Sequence, residues 1–131
     1  FGMYNLSIYI PPGSSQSFTK TCTFDHDLMV YKLTRHTHQW GDDFDVWFSG
    51  RPKDGDHIWT SGHYEDVDYV FDEPVLMPAG SGFTFRCDFT NTESYPLQFG
   101  TNATDEMCIL FGTWFRVDPN DAVGEQGCFG F

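Results

Sequence analysis

Eight consecutive residues, Phe83-Thr84-Phe85-Arg86-Cys87-Asp88-Phe89-Thr90, alternate apolar and polar side chains without a break. In an extended chain successive side chains leave opposite faces, so Phe83, Phe85, Cys87 and Phe89 share the buried face of one strand. Phe44-Asp45-Val46-Trp47-Phe48-Ser49 has the same period of two. Asn5 to Ile10, Ser17 to Phe24, Leu28 to Thr34 and Val67 to Leu76 read as further strands between Gly and Pro clusters. Met107 to Phe115 is apolar on both faces, which predicts a central strand covered on each side. Many short strands, an aromatic content of 18% and no long helical pattern predict an all-β fold. The expected architecture is an antiparallel β-sandwich of jelly-roll or Greek-key type. At 131 residues the chain makes one domain, 1–131, with a core of its own.

The four cysteines, Cys22, Cys87, Cys108 and Cys128, include no Cys-x-x-Cys pair. They read as two disulfides rather than a zinc or thiol-redox centre, and so predict an extracytoplasmic protein: secreted, periplasmic or in a secretory lumen. Four cysteines allow three pairings. A net charge of −12, from 7 Lys plus Arg against 19 Asp plus Glu, repels phosphate backbones and anionic lipids, so neither nucleic acid nor a membrane surface is an expected partner. No apolar run is long enough for a membrane-spanning helix. The chain starts at Phe1 rather than Met, as expected of a processed mature protein or of a domain cut from a longer one. The sequons Asn5-Leu6-Ser7 and Asn102-Ala103-Thr104 carry little weight, because such triplets arise often by chance.

His36-Thr37-His38 falls where the pattern is extended. Residues i and i+2 of a strand share a face, so the two imidazoles can converge on one ion. A His-x-His triplet by itself describes many ordinary surface histidines. His26, His57 and His63 lie near acidic or turn residues and read as solvated. The deciding residue is Met107, in Thr104-Asp105-Glu106-Met107-Cys108, because a thioether is a soft donor that selects copper over zinc and the hard cations. Met107 and Cys108 take opposite faces if the segment is extended, so one can face a metal while the other enters a disulfide.

Gly2-Met3, Ile10-Pro11-Pro12-Gly13, Cys22, His36-Thr37-His38, Cys87, Asp105-Glu106-Met107-Cys108 and Cys128, in that order, resemble the C-terminal domain of the type II copper, ascorbate-dependent monooxygenases. That family includes the peptide-amidating hydroxylases and dopamine β-monooxygenase. The resemblance runs from Gly2 to Cys128. It implies a jelly roll holding one copper on His36, His38 and Met107, and disulfides Cys87–Cys108 and Cys22–Cys128. It also implies oxygen activation for C–H hydroxylation, with the second electron supplied from a copper in a preceding domain that this chain lacks. At three positions that hold the peptide in the amidating enzymes, this chain has Thr34, Ile109 and Phe111 in place of Arg, Asn and Tyr. A peptide carboxylate would therefore lose its charged and hydrogen-bonding partners. Arg35 is adjacent but points away from the site if His36 points into it.

The leading expectation is a copper-binding domain of monooxygenase type that uses an external reductant such as ascorbate on an unidentified substrate. One alternative is a non-catalytic copper carrier with the same three ligands. Another is a jelly-roll carbohydrate-binding module, with Trp40, Trp47 or Trp59 as platform and Asp42-Asp43 or Asp54 to Asp56 holding calcium.

Overall fold

A computed structural model describes residues 1–128. Eleven strands follow one another: β1 (Gly2–Tyr4), β2 (Tyr9–Ile10), β3 (Ser15–Thr23), β4 (Leu28–His36), β5 (Gly41–Ser49), β6 (His57–Ser61), β7 (Asp68–Met77), β8 (Gly82–Thr90), β9 (Leu97–Gln98), β10 (Ile109–Arg116) and β11 (Gly127–Cys128). A five-stranded sheet runs β11-β1-β10-β4-β7 and a four-stranded sheet runs β3-β8-β5-β6, while β2 and β9 form a short pair. The β1–β10 and β3–β8 pairings join strands far apart in sequence, and all pairs but β1–β11 are antiparallel. This is the all-β sandwich that the pattern predicts, with the jelly roll that the resemblance implies.

The strand β8 carries out the alternation of its sequence. Phe83, Phe85, Cys87 and Phe89 are buried, whereas Thr84, Arg86 and Asp88 lie on the other face, half-buried. Their inward rings meet Phe24, Phe44, Leu28, Leu33 and Leu110 in the core between the sheets. Both disulfides form as the resemblance implies, Cys22–Cys128 and Cys87–Cys108. Each joins the four-stranded sheet to the five-stranded side: Cys22 lies on β3 and Cys128 on β11, Cys87 on β8 and Cys108 just before β10.

Three expectations need correction. The Asn5 to Ile10 strand is broken, because the Asn5 side-chain oxygen accepts the Ser7 N–H while its own N–H goes to the Cys108 carbonyl, leaving only Tyr9–Ile10 to pair. Side-chain capture of a backbone donor is the usual reason Asn interrupts a ladder. The strand after Met107 begins only at Ile109. Finally, β10 is central in its sheet but covered along only part of its length: Ile109 and Leu110 are buried, whereas Phe115 is 47% exposed.

Candidate functional site

Alternation along β4 decides which side chains meet solvent. Leu28, Val30, Leu33 and Arg35 turn into the sandwich, so His36 emerges on the outer face of the five-stranded sheet. Its cross-strand partner is Ile109. Beyond that pair the ladder ends, and the His38 and Met107 segments are instead brought together on the Glu106 carboxylate, which accepts the backbone N–H of each. The His36 and His38 rings stand edge to face with centroids 5.3 Å apart. His38 Nδ1 lies 2.7 Å from the Asp105 carbonyl. A carbonyl only accepts, so Nδ1 donates, which leaves Nε2 of the neutral ring as the free lone pair.

Beneath these residues lie two buried ions. The Glu106 carboxylate, wholly inaccessible, accepts the N–H groups of His38 at 2.7 Å, Trp40 at 2.9 Å and Met107 at 3.1 Å. Burial pushes the Glu106 carboxyl up, and these three donors pull against that rise. Arg35, 1% exposed, donates to the carbonyls of Asp42, Ser61 and His63 and to the hydroxyls of Ser61 and Thr37, and its guanidinium lies over the Phe44 ring. Burial lowers its ordinary value, and Asp66, Glu106, Asp43 and Asp42 oppose the change. The turn after His38 closes on Gly41, whose N–H goes to the His38 carbonyl. A Cβ at Gly41 would run into the Thr37 side chain, so the loop requires glycine there.

Burial lowers the pKa of His36, and the neighbouring charges of His38 and Arg35 act the same way. The folded protein thus binds a proton at His36 less readily than the unfolded chain. The contribution is at its full value above the ordinary histidine range and is lost as pH falls through it toward the folded value. Chelator-treated protein should therefore lose stability between about pH 7.5 and 5.5, and His36→Asn should lose less; equal losses in urea titrations at the two pH values would contradict this.

The surroundings of the pair are uneven. On one side Phe111 lies 6.5 Å from His36 and packs edge-on against Tyr4, while the Thr34 hydroxyl donates to Asp68. Lys32 pairs with the same Asp68, and Arg35 faces inward as alternation predicts. On the other side His38 lines an open recess of about 460 Å³ with Gln39, Tyr64, Thr101 and Ala103.

The remaining candidates stand elsewhere. His26 meets Asp121, His57 meets Asp45, and His63 stacks on Tyr64. Trp40 is buried, Trp59 packs on Tyr69, and Trp47 meets His57 edge to face and the guanidinium of Arg86 over its ring. Asp42 accepts the Thr90 hydroxyl and Asp54 the Gly50 N–H. Asn5 is buried, whereas Asn102 of the second sequon is exposed. Among the described residues no three or more His, Cys, Asp or Glu side chains form a group able to hold a metal. A thioether such as that of Met107 falls outside that count, being a soft donor that suits Cu(I) rather than the hard cations.

Glu106 and Arg35 had no assigned role in the sequence, although both flank the motifs. Their signal is a charged residue beside each candidate ligand on the opposite strand face, and burial is what gives it meaning. A family model for the copper type II ascorbate-dependent monooxygenase, C-terminal domain, matches residues 1–130.

Proposed function

This chain belongs to the family of copper type II ascorbate-dependent monooxygenase C-terminal domains, and from that premise we propose that it holds one copper ion on His36, His38 and Met107 for oxygen-dependent hydroxylation of a C–H bond. The supporting observation is the approach of the two motifs: paired imidazoles 5.3 Å apart on the outer sheet face, and the backbone N–H groups of His38 and Met107 both held by Oε2 of Glu106. When bound, copper supplies one-electron chemistry with dioxygen, and hydroxylation of R–H to R–OH with release of water consumes two electrons and two protons from a reductant of the ascorbate class.

The chain's own residues supply the setting. His38 is oriented by the Asp105 carbonyl, which leaves Nε2 for the metal. Phe111, Tyr4 and Ile109 present an apolar wall beside His36. The two cations that β4 carries beside His36 are committed, Lys32 to Asp68 and Arg35 to the interior. The reading that follows is an uncharged, apolar or aromatic substrate rather than one bearing a terminal carboxylate. The second electron comes from a preceding copper domain or a separate donor. Two disulfides suit an oxidising, extracytoplasmic compartment, and no helix among the described residues is long and apolar enough to cross a membrane.

Anaerobic Cu(I) titration with absorption spectroscopy at the copper edge tests the ligand set. One tight copper per chain is expected, with a copper–sulfur signal that disappears in Met107→Ala. Copper bound without that sulfur would remove Met107 from the site. Oxygen uptake with ascorbate and an apolar C–H substrate then separates hydroxylation from carriage: a copper-loaded protein that releases copper to a chelator and takes up no oxygen is a carrier.

A further inference from the structure

We infer that Glu106 is a positioning residue that locks the two ligand-bearing segments into one unit. This rests on the proposed ligand set, but its geometry is independent of any metal. Oε2 of Glu106 accepts from both His38 N–H and Met107 N–H, at 2.7 and 3.1 Å, and Oε1 accepts from Trp40 N–H at 2.9 Å. Residues 38 and 106 are 68 positions apart in the chain, so one side chain bridges segments that no local structure would hold together.

The same bonds explain where the ladders stop. Two residues beyond His36 and Ile109, that register would set His38 against Met107, but their N–H groups are turned to the carboxylate, and β4 ends at His36 and β10 starts at Ile109. Freed from the ladder, both residues are held at a spacing set by a carboxylate rather than by strand pairing. The post itself is fixed. Glu106 N–H donates to the Gln98 carbonyl, Gly100 N–H donates to the Glu106 carbonyl, and Phe99 bridges to Glu106. A carboxylate suits this task because it is acceptor-only, and two oxygens can serve three donors at once.

Two substitutions separate this role from general support of the fold. Glu106→Met keeps the length and removes every acceptor. Glu106→Gln, with its carbonyl oxygen at the Oε2 position, keeps the His38 and Met107 bonds and loses the Trp40 bond, where its NH2 meets another donor. In metal-free protein, amide hydrogen exchange should accelerate at His38, Trp40 and Met107 in the Met variant, and at Trp40 alone in the Gln variant. Cu(I) affinity, read by chelator competition, should fall about 10–100-fold in Glu106→Met, the range seen when a ligand's outer support is lost, and stay within about threefold in Glu106→Gln. The copper–sulfur signal should weaken in Glu106→Met only. Met77→Ala opens a cavity opposite Leu28 at the far end of β4 and controls for lost stability: it should lower the melting temperature and spare the copper.

Unchanged copper affinity in Glu106→Met, or an equal loss in Met77→Ala, would overturn the inference. If the Met variant does not fold, the exchange pattern of the Gln variant decides alone, and uniform acceleration at all three amides counts against the tether. A wild-type protein without copper–sulfur scattering would sink the proposed ligand set, while the exchange data would still settle what Glu106 holds.

Discussion

Arg35→Met is expected to cost about 3–5 kcal/mol of stability, the range for breaking a buried charged network from one side, and to lower the melting temperature by roughly 10–20 °C. Methionine fills similar volume, so the loss comes from unmet polar groups rather than a cavity. The carbonyls of Asp42, Ser61 and His63 lose their donor, as do the hydroxyls of Ser61 and Thr37. Orphaning a buried acceptor costs about 1–3 kcal/mol, less where it finds a new partner. The variant also leaves Glu106, wholly buried, without the nearby positive charge. Arg35→Lys retains that charge but replaces a planar fork with a point, so it should recover part of the loss and no more. Urea titration of the metal-free protein measures both. A loss below about 1 kcal/mol in Arg35→Met, the size of an ordinary surface change, would mean that the network contributes little to stability.

The two disulfides should have different consequences. Cys22–Cys128 closes a span of 106 residues and Cys87–Cys108 one of 21. Chain-entropy reasoning assigns about 5 kcal/mol to the first and about 3 to the second, in a treatment that attributes the effect to the unfolded chain. The double Ala variant at Cys22 and Cys128 should therefore be the less stable of the two. The shorter bridge, however, ends at Cys108, next to Met107, and ties it to β8. Opening it with Cys87→Ala and Cys108→Ala should weaken Cu(I) binding by more than the longer-span variant does. Melting curves and chelator competition on both variants check the crossed ranking; the same order in both measurements would show that copper binding tracks overall stability alone.

What the sequence makes legible follows from what each residue answers to. The Phe83 to Thr90 alternation answers to local strand geometry, and β8 obeys it over its whole length. The inward direction of Arg35 follows from the same rule applied to His36. The disulfide pairing needed the family likeness, since spacing alone leaves three choices. What stayed hidden was the burial of Arg35 and Glu106. A charged residue is ordinarily exposed, and the partners that make burial tolerable, such as Ser61 for Arg35 and His38 for Glu106, lie 26 and 68 residues away. The early end of both ladders was hidden for the same reason, because a side chain from another segment had taken the donors.

His36 stands on the outside of its sheet, while the apolar core fills the other side. Evolution, or a protein engineer, can therefore alter the wall beside it at Phe111 or Thr34, both only half-buried, with little effect on the packing that makes the domain fold. Arg35 and Glu106 are the exceptions, since they belong to both faces of the design. A library that varies the outer wall while holding these two constant would explore substrate choice on a scaffold whose folding stays nearly unchanged.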